Sequence, residues 1–502
     1  MQKATGMDKW DKDIDVVIVG YGAAGATAAI TVSEAGKEVL ILEKAPQPGG
    51  SSSVCSGGMR YPVDAKQAAR YLKGIGLGSI DDETALAFAE AWVEMKPWLE
   101  QHEAKMGIFP SAPPYLNLGA PDKLDITYLE SPQGYGRGCG RDLFAFLDGI
   151  VKRLGLEVML NTPARRLVQN PATKEILGVV AESEGKEILI RARKAVIMTL
   201  GGFAGNPEML ATYIEEAPVK MYPSGTPYCT GDGVQMVIDV GADLWHMNGI
   251  EWGTWGFKAP EFPAAHWLQP KGQSWILVNR LGKRFTDEST DYGHAKKHLE
   301  VFNFGAVGRG DYADWPNSPW YMVFDEKVRQ AGSIALTERR TGSPPFITYN
   351  EAREIYKWSQ DNSVEIDKRW IKKADSVVEL AREIGVDPAG LQETITRYNE
   401  YCAAALDLDF KRRPDSLVPI GPPPYYAMEC VVTICNTQGG PRRNARSQVV
   451  SAYDGSPIPR LYAGGEFGSV FGLLYPGACN LSECIVSGLI SGRNALAEQS
   501  WE

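Results

Sequence analysis

The chain has 502 residues, 44% of them hydrophobic and 23% charged, which is enough for a large core and two domains. Its formal net charge of −10 argues against nucleic acid as a partner and fits an anionic membrane surface poorly. No run reaches ~18 apolar residues, so no membrane span is expected, and Met1 to Trp10 lack the apolar centre of a secretory signal.

Asp15 to Val19 is a short, apolar, β-branched run that predicts a strand buried on both faces. Gly20, Gly22 and Gly25 follow in the spacing G-x-G-x-x-G. Ala26 to Ala35 predicts a helix, and Glu38 to Leu42 a second strand that ends in Glu43. In such a βαβ unit Gly20 makes the tight turn, Gly22 lets backbone amides, including those of Ala23 and Ala24, reach a pyrophosphate, and Gly25 lets helix and strand pack closely. The helix N-terminus adds partial positive charge. Glu43, followed by Lys44, stands where an acid would accept hydrogen bonds from ribose hydroxyls. A second Gly/Ser-rich loop comes straight after this strand and contains Gly50, Ser51, Ser52, Gly57 and Gly58. It can wrap a longer cofactor, which NAD does not require.

Residues 64–105 read as helical, and 107–135, with Pro113, Pro114 and several tyrosines, as loop. A helix is expected from Gly138 to about Leu154, a β-meander over 157–197, and another buried strand from Lys194 that ends at Gly201 and Gly202. Thr230 to Gly241 opens on glycines and reads as a helix. From about 245 the composition shifts: Trp245, Trp252, Trp255, Phe257, Trp267 and Trp275 lie in a Gly/Pro-rich stretch. They suit either a pocket for a flat apolar substrate or an interdomain core. The expected fold is α/β, a Rossmann-like FAD-binding domain formed by 1–255 and 425–502, with an inserted α+β substrate domain over 256–424. The eight cysteines form no C-x-x-C, so no metal or haem site is predicted, and scattered thiols suit a reducing cytoplasm.

Several segments resemble the FAD flavoproteins related to soluble fumarate reductases and 3-ketosteroid dehydrogenases. The Gly49–Gly58 loop resembles their GG-x-[ST]…GG segment, and Thr199 to Phe203 their A-T-G-G-F, with Leu200 in place of threonine. Gly282 to Glu288 resembles G-[KR]-R-F-x-[ND]-E. Four residues further on, fumarate reductases carry a proton-transferring arginine; this chain has Tyr292, as ketosteroid dehydrogenases have tyrosine. Asn436-Thr-Gln-Gly-Gly stands where fumarate reductases read H-T-x-G-G, the histidine gripping a substrate carboxylate. Gly465 and Glu466, followed by Asn480 and Leu481 at a helix start, resemble the segment that binds the flavin ring. Tyr475-Pro-Gly-Ala-Cys479 resembles Y-P-G-x-G, whose tyrosine hydroxyl and last amide hold a ketone oxygen; Cys479 replaces that glycine.

The resemblance implies non-covalent FAD and an oxidoreductase that introduces or reduces a C=C bond beside a ketone. The implied substrate is a small apolar cyclic ketone or enone, 3-ketosteroid-like or a smaller oxo-cyclohexane compound, with an external electron acceptor or donor. Tyr475 and the Cys479 amide would stabilise the enolate, Tyr292 would move the α-proton, and a hydride would pass to or from flavin N5. Lys283, Arg284, Lys296, Tyr115, Tyr128 and Tyr135 are candidate helpers of Tyr292. An unsaturated carboxylate held by Arg442, Arg443 and Arg446 is an alternative substrate, and a flavin electron-transfer subunit an alternative role.

Overall fold

A computed structural model describes residues 9–501 apart from 110–123, 133, 135, 215–219, 290–316, 337–347 and 473. Three segments make the expected βαβ unit: β1 (Lys12–Val19), α1 (Ala23–Glu34) and β2 (Val39–Leu42). The inner half of β1 and all of β2 are buried, as their unbroken apolar runs require. The two strands pair in parallel, with Val16 opposite Val39 and Val19 opposite Leu42. Gly20 has φ +102°, and a Cβ there would stand 2.4 Å from Thr199 O, while one on Gly25 would stand 2.1 Å from Gly20 O. Both positions therefore need glycine for the turn and for the packing of α1 on the sheet.

The first sheet has eight strands. Lys186–Met198 and Pro457–Ala463 extend it in parallel on one side of β1, and Glu157–Met159 extends it beyond β2. The expected meander thus splits. Glu157–Met159 joins the parallel sheet, and only Ala164–Gln169, Ile176–Ser183 and Lys186–Met198 run antiparallel in series. The last helix, Asn480–Leu496, packs along α1.

The second sheet has seven strands and is centred on Tyr425–Thr437. That strand pairs antiparallel with Ile250–Phe257, Trp320–Asp325 and Ile371–Ala374, and parallel with Met221–Pro223. The sheet draws strands from both sides of the 256–424 span expected for the inserted domain. The reason is that Tyr425–Thr437 is a long buried strand whose neighbours come from either flank. Behind this sheet, Val377–Ile384 and Pro388–Ala404 bury Leu380, Ile384, Leu391 and Ile395. A small antiparallel sheet of Met59–Pro62, Leu124–Leu129 and Met106–Phe109 replaces part of the loop expected over 107–135. No helix among the described residues is long and apolar enough to cross a membrane.

Candidate functional site

Two clefts meet between the sheets. The first holds about 810 Å3 of empty space, mouth included, and runs along the β1–α1 turn; it is lined by Gly20, Gly22, Ala23, Ala24, Glu43, Lys44, Gly50, Gly201 and Gly465. The second, about 740 Å3, is lined by Gly57, Gly58, Glu251, Trp267, Asn436, Tyr475, Asn480 and Leu481. Ser51, Ser52, Glu466 and Cys484 line both, so the clefts share a wall.

The first cleft suits a phosphate-bearing nucleotide. Gly22 caps α1 with extended backbone and no side-chain cap, and Ser52 Oγ accepts from Ala23 N at 3.1 Å. Glu43 is nine-tenths buried and takes Tyr21 N at 2.9 Å and Ala45 N at 2.8 Å. Burial raises its pKa, and those amide bonds oppose the rise. Lys44 is paired with Asp232 at 2.8 Å and also donates to Thr230, a tie between the two sides of the cleft that Thr230 and Asp232 also line. Glu466 makes no hydrogen bond to a described residue. Its carboxyl is pushed up to about 8 by burial, then by Glu251 and Glu483. A half-buried carboxyl left over in the wall that the two clefts share fits a cofactor rich in hydroxyl and N–H groups.

Three expected site residues do not line either cleft. Gly25 packs against Gly20, and a Cβ on Gly202 would stand 2.1 Å from Thr437 Oγ1, so Gly202 makes room for the strand Tyr425–Thr437. Cys479 is fully buried, and burial raises its thiol pKa. Its amide does not point at a free oxygen position but donates to Tyr475 Oη at 2.9 Å, while Asn480 N lies 3.4 Å from the same oxygen. Tyr475 is thereby held at the start of the last helix. Burial, then Glu251 and Cys479, raise its pKa well above the ordinary value, so its hydroxyl stays protonated and able to donate.

Tyr292, Lys296, Tyr115 and Tyr135 lie outside the described residues. The motif before Tyr292 is a buried ion-pair cluster: Arg284 Nε and Nη2 donate to Glu288 at 2.9 and 2.6 Å, and Nη2 also to Asp407 at 2.9 Å. Arg412 Nη1 adds a 3.4 Å contact to Glu288. Arg284 pairs with these carboxylates, and Lys283 pairs with Glu393 at the surface. Tyr128 has the Arg137 guanidinium 5.9 Å from its ring centre, and Arg137 Nη2 would stand 2.5 Å from a Cβ on Gly58, a residue that lines the second cleft.

Sequence reasoning missed Glu251. It is 8% exposed, pairs in register with Asn436 across the second sheet, and accepts from Asn480 Nδ2. Burial pushes its carboxyl up to about 8 against the pull of that hydrogen bond. A carboxylate between Ile250 and Trp252 in an aromatic-rich strand carries no spacing signal, and only the register brings it to Asn436. Of the six clustered aromatics, only Trp267 lines the cleft; Trp255 and Trp275 pack on each other in the core, with ring centres 5.5 Å apart.

The carboxylate-binding arginines of the alternative reading stand elsewhere. Arg443 is buried against Glu483 at 2.6 Å, Arg442 lies 3.7 Å from Asp243, and Arg446 donates to Asn494 at 3.0 Å. None lines the second cleft.

The chain is similar to proteins of known activity. It is 28% identical to 3-oxosteroid 1-dehydrogenase of Mycobacterium tuberculosis (strain ATCC 25618 / H37Rv), over 93% of this chain and 95% of that protein. It is 25% identical to the probable fumarate reductase Ifc3 of Shewanella frigidimarina (strain NCIMB 400), over 97% of this chain and 78% of that protein. The fold matches that of 3-ketosteroid delta1-dehydrogenase from Sterolibacterium denitrificans with a TM-score of 0.74 at 22% identity, covering 97% of this chain and all of that one. The family described as FAD binding domain matches residues 15–481, nearly the whole described sheet-and-helix framework, and the chain is an FAD-binding oxidoreductase of that family.

Proposed function

We propose that the protein introduces or reduces a C=C bond next to the carbonyl of a neutral cyclic ketone. The observation that carries this reading is the wall of the second cleft. Among the described residues it contains no lysine, arginine or histidine, but two carboxyls, Glu251 and Glu466, two amides, Asn436 and Asn480, and a phenol, Tyr475. A carboxylate substrate entering such a site would meet like charge or none; a ketone asks only for a hydrogen-bond donor.

Bound FAD supplies the hydride acceptor or donor. Tyr475 donates to the ketone oxygen, and the two helix-start N–H groups on its own oxygen strengthen that donation as charge develops on the ketone. The Cys479 amide thus acts through the phenol, whereas the Y-P-G-x-G resemblance has it touch the ketone directly. Tyr292 is the proposed proton-transfer group, taking the α-proton in the oxidative direction and returning it in reduction. Trp267 offers an aromatic surface to a flat ring. A 3-ketosteroid leads as substrate class, because the steroid dehydrogenase relative is similar over nearly its whole length, and a smaller oxo-cyclohexane compound is the second choice.

Steady-state turnover with a reduced dye, offering a steroid enone beside fumarate, tests the reading. Turnover of the enone with little on fumarate is expected. Robust fumarate reduction with none on ketones would overturn it.

A further inference from the structure

We propose that Arg60 is a positioning residue for Tyr475. Its guanidinium holds the loop Tyr475-Pro-Gly-Ala-Cys479 in the shape that aims the phenol at the ketone oxygen. This inference rests on the ketone reading given above and adds to it a residue that lines neither cleft.

Arg60 stands on the strand Met59–Pro62, just after Gly57 and Gly58, and is 3% exposed. Its Nε donates to Gly477 O at 2.9 Å and its Nη1 to Leu124 O at 3.0 Å. Its backbone N–H donates to Ala478 O at 2.8 Å. The strand is fixed in turn, because Arg60 O accepts from Trp92 Nε1 at 2.6 Å and from Ser482 Oγ at 2.8 Å. A guanidinium only donates and a carbonyl only accepts, so chemistry alone sets the direction of the two bonds from the Arg60 side chain.

The loop needs such a brace. Gly477 has φ +76° and Ala478 φ +56°. A residue with a Cβ seldom adopts the left-handed region, and keeps it where its surroundings over-determine it. Arg60 fixes two successive peptides there. The Ala478 carbonyl bound by the Arg60 N–H, and the Cys479 N–H that donates to Tyr475 Oη, are the two ends of one planar peptide. The guanidinium holds the peptide before it through the buried Gly477 O. Without that side chain the carbonyl loses its donor. The two left-handed residues can then turn, and with them the N–H that fixes the phenol. Burying a guanidinium is costly, and packing a strand does not require one; what it supplies is a rigid fork of donors. Its place also joins two walls of the site, since Gly57, Gly58, Tyr475 and Ala478 all line the second cleft.

The test is a double-mutant cycle on the FAD-loaded protein, with Arg60→Met and Arg60→Lys each made alone and together with Tyr475→Phe. Rapid mixing reads bleaching of the oxidised flavin by 5α-androstan-3-one or cyclohexanone, and reoxidation of the reduced flavin by androst-4-en-3-one or cyclohex-2-enone. Arg60→Met should lower the rate roughly 10- to 10²-fold, the scale of misplacing a reacting group by up to about 1 Å. Arg60→Lys, which keeps one donor within reach of Gly477 O, should recover part of that loss. In the Tyr475→Phe background neither substitution should slow the reaction further, because no phenol is left to position. A brace of the fold alone would slow both backgrounds by the same factor, and that result overturns the inference while the ketone reading stands. An Arg60→Met rate equal to wild type overturns it in the same way. If the methionine variant takes up no FAD, the lysine variant carries the same comparison; if neither takes it up, Arg60 serves the cofactor or the fold and the inference is overturned. Failure of every ketone and enone to change the wild-type flavin overturns the ketone reading and this inference together.

Discussion

The amide of Cys479 donates to Tyr475 Oη at 2.9 Å, so the two groups expected to hold a ketone side by side act in series. Of the two, only the phenol lines the second cleft. Tyr475→Phe should therefore slow flavin reduction by a saturated ketone by roughly 10²-fold or more, the usual cost of one donor to a developing oxyanion, with a smaller loss of ketone binding. Rapid-mixing measurement of flavin bleaching, with binding read from the spectrum, checks both. Cys479→Ala should keep most of the rate, since only its backbone N–H takes part.

Tyr292→Phe should leave ketone binding largely intact and lower the rate of flavin reduction by roughly 10²-fold or more, as expected for a general acid–base group. The same rapid-mixing series checks it. Reduction at the wild-type rate would show that another group moves the proton, and Glu251, buried in the wall of the second cleft, would become the first candidate.

The flavin should leave the protein on acid precipitation, because none of the three described histidines, His102, His246 and His266, lines either cleft as an attachment point. Glu43→Ala should weaken FAD binding by roughly tenfold or more, since the carboxylate is fixed by Tyr21 N and Ala45 N at the turn. Equilibrium titration of the apoprotein with FAD measures the effect; a flavin that stays with the precipitate would contradict the non-covalent assignment.

Glu251 gives the molecule a pH signature. Its carboxyl titrates near 8 when folded and near 4.5 ordinarily. The folded state therefore holds the proton that the unfolded state has lost, and stability falls as the pH rises from about 4.5 to about 8. Glu251→Gln should remove that part of the slope. Melting temperatures of the FAD-loaded wild type and variant, taken from pH 5 to 9, should diverge toward the acid end and run parallel above about pH 8.5. Identical slopes would show that Glu251 ionises normally.

The cofactor half of the molecule was legible because its constraints are local. Gly20 is dictated by its left-handed backbone at the turn, Gly25 by its close approach to Gly20, and Glu43 by its place at the end of β2, so spacing alone locates them. The second cleft was legible only in part. Tyr475 and Asn436 were reached through resemblance, whereas Glu251 reaches the site through the antiparallel register of Ile250–Phe257 on Tyr425–Thr437, a long-range pairing that no short window contains. The same pairing explains why the second sheet ignores the boundaries drawn from composition at 256 and 424. The basic motif before Tyr292 had a second, structural meaning that its sequence did not disclose: Arg284, Glu288, Asp407 and Arg412 close a buried ionic cluster.

The central claim is that a cleft without described cations exchanges hydrogen with a neutral cyclic ketone. Anaerobic spectra of the purified, FAD-loaded protein, titrated with saturated and unsaturated cyclic ketones and with fumarate, test it most directly. Bleaching of the oxidised flavin by a saturated ketone, or reoxidation of the reduced flavin by the matching enone, with fumarate inert, is the predicted result. Reoxidation by fumarate with no response to any ketone would contradict the account.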